Sequence, residues 1–111
     1  RNDGCPNVGF WGSTCGGGFG NYVMLNNGNN WSSISPHMQA GTPVGFVTVA
    51  CGQYIGTSYT SGNSTGCHLH FEVQHYGYPW DDPYAGSCSG PESFWCNQNG
   101  DGAGFPSRAC C

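Results

Sequence analysis

The stretch formed by residues 21–34, NYVMLNNGNNWSSI, decides the fold that we predict for this chain. Its two ends, residues 21–25 and 31–34, contain aromatic and β-branched side chains, which favour strands. Between them lies the turn segment at residues 26–30 (NNGNN), which contains the Asn27-Gly28 pair typical of tight hairpin turns. The stretch therefore predicts a β-hairpin.

Three further segments have the character of strands. Residues 44–50 (VGFVTVA) and 53–55 (QYI) are rich in β-forming side chains, and residues 67–74 (CHLHFEVQ) alternate between polar and apolar. No segment shows the sustained apolar period of about 3.6 residues that an amphipathic helix needs. We therefore predict an all-β fold over residues 1–85, a small antiparallel β-sheet or sandwich with Gly-rich loops.

The composition limits both the size of the fold and its partners. The chain has 111 residues, enough for one small domain, and its 4 Trp, 6 Tyr and 6 Phe argue for a folded core. Only 2 basic residues stand against 6 acidic ones, and the formal charge of −4 excludes the usual electrostatic binding of nucleic acid. No apolar run approaches the roughly 18 residues that span a bilayer, so no membrane span is predicted.

The 8 cysteines predict disulfide bonds and a secreted, extracellular or periplasmic location. The alternative is metal ligation by thiolates, but the sequence contains no CxxC pair. Local spacing favours a bond between Cys5 and Cys15 across a Gly-rich loop, and one between Cys51 and Cys67 if their strands adjoin. Residues 86–111 are predicted to form an irregular tail whose cysteines pair with one another: Cys88, Cys96, Cys110 and Cys111.

The segment CHLHFEVQ carries the most informative side chains. As a strand it would place alternate residues on one face, namely His68, His70, Glu72 and Gln74, and the apolar residues between them on the other. Two imidazoles about 6.5–7 Å apart on one strand suit one histidine on a metal and the other beside bound water or substrate. The alternative is a solvated strand face with two incidental histidines.

The sequence HLHFEV at residues 68–73, preceded by GNSTG, resembles the signature of lysostaphin-type (LytM-type) zinc endopeptidases. Other pieces of that family's pattern follow one another in the right order. They are GNYVML at residues 20–25, His37-Met38, GQYIG at residues 52–56 and DPY at residues 82–84. The resemblance covers about residues 16–85.

This resemblance implies an exported domain that holds one zinc ion and cuts peptide bonds in peptidoglycan. His70 matches a zinc ligand of the family, whereas His68 and His37 match the two histidines near the metal-bound water and the scissile carbonyl. A zinc ion with three protein ligands and an open position lowers the pKa of its water toward ~7, and a neighbouring histidine can take the proton.

One part of the family's pattern is missing. The family supplies two further zinc ligands from an upstream HxxxD motif, but the residues four positions after the histidines are Gly41, Glu72, Gln74 and Pro79. A second departure is Ser35-Pro36 before His37, where the family usually has a Tyr two positions before the histidine. We therefore expect either a chain without its first ligand segment or one that has lost catalysis.

Three classes of function stay open. The first is an exported zinc endopeptidase, the second a non-catalytic module that binds cell-wall peptides or glycans, and the third a structural domain that assembles into a homo-oligomer or filament through its sheet edges. Metal content separates the first class from the others. His75 is predicted to be a loop histidine rather than a replacement ligand, and Asp81-Asp82 to cap a turn.

Overall fold

The structure is a computed structural model and describes residues 1–81 and 83–84. Its strands form one antiparallel sheet in the order β1 (Asn21–Gly28), β2 (Trp31–Met38), β3 (Glu72–His75) and β4 (Tyr78–Asp81). Among the described residues the one helical segment is a short 3-10 helix, Cys15–Gly18, and none is long and apolar enough to cross a membrane. The all-β prediction is confirmed, whereas the predicted tail lies outside the described residues.

The predicted hairpin is present, with longer strands and a displaced turn. Gly28 pairs with Trp31 across the end of β1 and β2, so the loop consists of Asn29 and Asn30. Both have positive φ, 48° and 63°, the combination that a tight two-residue hairpin turn requires. The turn therefore lies within the predicted segment 26–30 but two residues beyond its Asn27-Gly28 pair, because asparagine also tolerates the left-handed conformation.

A β-bulge interrupts β2 near its end. Ser35 pairs with Val23 of β1 but Met38 pairs with Asn21, so β2 holds one more residue than β1 in this interval. Inside the bulge, His37 has a positive φ of 57°. A bulge bends its strand and redirects side chains, and here it turns the histidine out of the regular alternation of β2.

The same bulge explains why the strand predicted over residues 67–74 is shorter. The ladder between β2 and β3 ends at the pair Ile34 and Glu72. Beyond that pair, Pro36 has no N–H to donate, and His37 departs from extended geometry. Residues 67–71 are therefore not in a strand, and the predicted apolar face is wrong for Leu69, which is 73% exposed.

The strands predicted at residues 44–50 and 53–55 are also absent. Two backbone hydrogen bonds of 3.0 Å join the two segments, from the Val44 N–H to the Ile55 carbonyl and from the Gln53 N–H to the Ala50 carbonyl, but they form no ladder. A cavity of about 540 Å³ lies between residues 44–49 and β1. Strand preference needs a neighbouring strand and burial, and Phe46 is 91% exposed.

One of the two predicted local disulfides is confirmed. Cys5 and Cys15 are bonded, with their Cα atoms 5.9 Å apart. The predicted bond between Cys51 and Cys67 is wrong, because both are free and exposed. The strands that were expected to bring these two residues together do not form.

A few apolar side chains form the core beneath the sheet: Cys5, Val23, Ile34, Met38 and Val73. Polar residues are buried beside them, and Asn21 and Ser61 are both 0% exposed. A buried polar group is tolerated only where it is hydrogen-bonded, so this part of the fold is held by specific contacts as well as by apolar burial.

Candidate metal centre

Three histidines from two separate segments of the chain meet at one end of the inner strands β2 and β3. His37 lies in the bulge of β2, whereas His68 and His70 lie in the irregular segment that precedes β3. One nitrogen of each imidazole lies within 4.8 Å of one nitrogen of each of the others. The structure therefore brings together all three histidines that the sequence singled out.

The His37 imidazole is buried, and a backbone carbonyl contacts the ring nitrogen that does not face His70. Its Nδ1 lies 2.8 Å from the carbonyl oxygen of Ser61, and its backbone N–H donates to the Phe19 carbonyl at 2.8 Å. A carbonyl oxygen only accepts, so Nδ1 carries the hydrogen and the neutral ring has its lone pair on Nε2. This Nε2 lies 3.3 Å from Nδ1 of His70.

Buried contacts hold the Ser61 loop in place behind His37. The Ser61 hydroxyl donates to the Met38 carbonyl at 2.7 Å and accepts from the backbone N–H of Asn21 at 3.0 Å. The backbones approach so closely that a Cβ on Gly20 would lie 2.4 Å from the carbonyl carbon of Ser61. The carbonyl that orients His37 is therefore fixed by the core.

Electrostatics keep His37 neutral. Burial lowers the pKa of His37, and the neighbouring His68 and His70 lower it further, whereas the hydrogen bond to the Ser61 carbonyl opposes the shift. The net direction is downward from the ordinary value of 6.5. At neutral pH the Nε2 lone pair of His37 is consequently available to a cation or a proton.

His68 is exposed but has the same kind of outer contact. Its Nδ1 lies 2.8 Å from the carbonyl oxygen of Gly66, and its backbone N–H donates to the Tyr59 carbonyl at 3.3 Å. Since the carbonyl can only accept, Nδ1 carries the hydrogen and Nε2 holds the lone pair of the neutral ring.

His70 is half-buried between the cluster and a carboxylate. Its Nδ1 faces His37, and its Nε2 lies 3.7 Å from Oε2 of Glu72. The other carboxylate oxygen of Glu72 accepts a hydrogen bond of 2.5 Å from the side-chain amide of Gln74. The ring of Phe19 meets His70 edge-on, with centroids 6.2 Å apart.

The donors of the cluster fit a metal such as zinc. Imidazole nitrogens are common zinc ligands, and two of them at about 2.0–2.1 Å from a tetrahedral zinc lie about 3.3–3.4 Å apart. The 3.3 Å between His37 Nε2 and His70 Nδ1 is similar to that separation, so His37 lies close enough to act beside a metal held by His70. Two further protein ligands would complete the three that hydrolytic zinc sites have beside their open position.

The other candidates do not join this cluster. His75 is the last residue of β3 rather than a loop residue, and its ring stacks on Trp31 with centroids 4.0 Å apart and planes 5° apart. It is not among the three clustered histidines of the described residues. Asp81 ends β4, whereas Asp82 lies outside the described residues.

Sequence reasoning missed the residues that support the histidines. Asn21 belongs to the motif GNYVML and Ser61 directly precedes GNSTG, but nothing in these motifs indicates that both residues are fully buried. Glu72 and Gln74 were placed on the histidine face by alternation alone. A carboxylate two residues after a candidate ligand could have indicated a partner for the ring nitrogen that does not bind the metal.

An antiparallel sheet with imidazoles clustered at the ends of its inner strands defines a candidate metallohydrolase domain. Residues 7–82 match the model described as Peptidase family M23, and the chain belongs to this family of metallopeptidases. The resemblance to lysostaphin-type enzymes is thereby confirmed at the level of the family.

Curated relatives match shorter stretches. The chain is 39% identical over 56 residues to a Haemophilus influenzae protein named "Uncharacterized metalloprotease", which covers 50% of this chain and 12% of that protein. It is 36% identical over 63 residues to the "DD-carboxypeptidase/endopeptidase Mpg" of Neisseria meningitidis serogroup B. This match covers 57% of the present chain and 14% of the Neisseria protein. A Neisseria gonorrhoeae protein of the same name matches equally. The matched region thus spans about an eighth of these relatives.

Proposed function

We propose that this chain is the domain of an exported zinc metallo-endopeptidase that cuts peptide bonds in peptidoglycan. The observation that carries the proposal is the convergence of His37, His68 and His70 in a member of Peptidase family M23. The lysostaphin-type signature and the relatives named DD-carboxypeptidase/endopeptidase support the substrate class. The disulfide between Cys5 and Cys15 supports an oxidising compartment outside the cytoplasm.

In this proposal His70 is a metal ligand and the other two histidines handle protons. When bound, zinc would supply a Lewis acid and a water of lowered pKa. His37 and His68 each have an acceptor on Nδ1, so each can take up and release a proton at Nε2. The lowered pKa of His37 keeps that nitrogen unprotonated at neutral pH.

The two histidines differ in their access to solvent, and this supports different roles. His37 is 5% exposed, so a proton on its Nε2 is shielded from bulk water. His68 is exposed and can meet a peptide that enters from solvent. The buried imidazole is therefore suited to a fixed position beside the metal, and the exposed one to contact with the scissile bond.

Peptide hydrolysis tests the proposal directly. We would load the 111-residue chain with zinc, alone and joined to an upstream segment that carries an HxxxD motif, and incubate both with a stem peptide and with a glycine-rich peptide. We expect weak zinc binding and little cleavage by the chain alone, and tight zinc binding with cleavage by the joined form. Cleavage is expected to stop when a chelator removes the metal and to return with zinc. No cleavage by either form would overturn the proposed activity.

A further inference from the structure

Glu72 lies at the point where the irregular histidine segment enters the sheet. Its backbone pairs with Ile34 of β2, so the residue is fixed two positions after His70. Its side chain is 18% exposed, and Oε2 lies 3.7 Å from Nε2 of His70. This distance is too long for a hydrogen bond, but at this range a carboxylate still favours an N–H on the nitrogen that faces it.

The carboxylate is itself held in place. Gln74 lies on the same strand, is 8% exposed, and donates from its side-chain amide to Oε1 of Glu72 at 2.5 Å. The amide occupies one carboxylate oxygen and leaves the other directed toward His70. The contact with Gln74 therefore fixes the position of the Glu72 carboxylate.

The neighbours of the two His70 nitrogens favour different positions for the hydrogen of the ring. On one side, Nδ1 faces the lone pair of His37 Nε2 at 3.3 Å, which favours a hydrogen on Nδ1. On the other side, Nε2 faces the carboxylate of Glu72, which favours a hydrogen on Nε2. A neutral imidazole has one N–H, so the two neighbours compete for its position, and only the second arrangement leaves Nδ1 free to bind a cation.

We propose that Glu72, supported by Gln74, is a positioning residue that favours the hydrogen on Nε2 of His70 and thereby frees Nδ1 for a metal. The other two histidines have backbone carbonyls in the equivalent outer position, from Ser61 and Gly66. Metal-binding histidines usually donate their second N–H to a carboxylate or carbonyl of this kind. The inference rests on the proposed function only in treating His70 as a ligand.

Loss of a residue that hydrogen-bonds to a metal ligand typically weakens metal binding by roughly 10–100-fold. We expect Glu72→Ala to weaken zinc binding within that range. Glu72→Gln should also weaken it, since an amide can present a donor to Nε2 and so favour the hydrogen on Nδ1. Glu72→Asp keeps the charge and should lose less affinity than either variant.

Nitrogen NMR of the histidine rings tests the inference without any need for hydrolysis. In the metal-free 111-residue chain at about pH 8.5, where an ordinary imidazole is neutral, we expect Glu72→Ala to shift His70 toward the form with the hydrogen on Nδ1. Zinc affinity would be measured on the same samples by competition with a chromogenic chelator. His75→Gln is the matched control, since His75 lies on the same strand but stacks on Trp31, and it should change neither readout.

The outcomes separate the positioning role from its alternatives. An unchanged His70 tautomer in both Glu72→Ala and Glu72→Gln would overturn the inference, provided that their backbone NMR spectra show a folded sheet. Complete loss of zinc binding in all three Glu72 variants, with the tautomer unchanged, would make Glu72 a direct ligand instead. A tautomer shift without hydrolysis by any form would support the positioning role while the proposed peptidase activity fails.

Discussion

The Nε2 atom of His37 and the Nδ1 atom of His70 lie 3.3 Å apart, although 33 residues separate them in the sequence. The bulge in β2 directs one ring toward the cluster, and the end of the β2–β3 ladder leaves the other outside the sheet. Since the Ser61 carbonyl already occupies the hydrogen on Nδ1 of His37, the two facing nitrogens are satisfied either by a hydrogen on Nδ1 of His70 or by a bound cation.

The different roles proposed for the histidines predict different results of substitution. In the zinc-loaded form that is joined to an HxxxD segment, His70→Ala should abolish metal binding because it removes a ligand. His68→Ala should retain zinc and lower the rate of peptide cleavage by about 10²–10⁴-fold, the usual contribution of general acid or base catalysis. Metal analysis and kinetics on the same samples check both results.

His75→Gln serves as the control for both variants and should retain metal and rate. Loss of zinc from His68→Ala, or from the corresponding His37→Ala, would contradict the division of roles. That result would instead assign the substituted imidazole to the metal.

Much of the fold follows from local sequence. The hairpin of residues 21–38 could be predicted because both its strands and its turn have strong local preferences. The bond between Cys5 and Cys15 could be predicted because only a short Gly-rich loop separates them. The histidine cluster was reached through the HLH motif and His37, and not through any local preference.

The remaining features depend on contacts that are distant in the sequence. Residues 44–50 have strand-forming side chains, but no strand within the described part of the chain pairs with them. The start of β3 is set by Pro36 and the bulge on β2, which no pattern within residues 67–74 can indicate. The burial of Asn21 and Ser61 likewise depends on how the start of β1 meets the Ser61 loop.

The free thiols give a simple chemical prediction. Cys51 and Cys67 are exposed and unbonded, so an alkylating reagent should label both in the native protein without reduction. Cys5 and Cys15 should stay unlabelled and appear as a linked peptide in a non-reducing digest. A linked peptide that joins Cys51 to Cys67 would contradict the structure.

Alanine substitutions at two glycines of similar backbone conformation distinguish the cost of an unfavourable φ from the cost of steric overlap. Gly17 and Gly20 have φ of 69° and 66°, but a Cβ on Gly17 meets nothing within 4 Å, whereas one on Gly20 would overlap the backbone of Ser61. We expect Gly17→Ala to destabilise the fold by about 1–2 kcal/mol through its φ alone. Gly20→Ala should cost about 1–3 kcal/mol more, because the Ser61 loop has to move.

Urea unfolding of the metal-free chain measures this difference. Gly20→Ala should also weaken zinc binding, because the displaced loop carries the carbonyl that orients His37. Equal destabilisation by the two substitutions would show that the close approach of Gly20 to Ser61 contributes nothing to stability.

The lowered pKa of His37 predicts how stability depends on pH. Burial is the main cause of the shift, so the folded state binds a proton at His37 less readily than the unfolded state, whose value is about 6.5. Between the folded and unfolded pKa values the unfolded state therefore binds more protons, and the free energy of unfolding decreases as the pH falls below about 6.5. Above that pH the contribution of His37 is fully present.

Urea unfolding of the metal-free chain at a series of pH values should show the decrease, and His37→Gln should reduce it relative to the His75→Gln control. An equal pH dependence in both variants would mean that protonation of His37 is not what destabilises the fold.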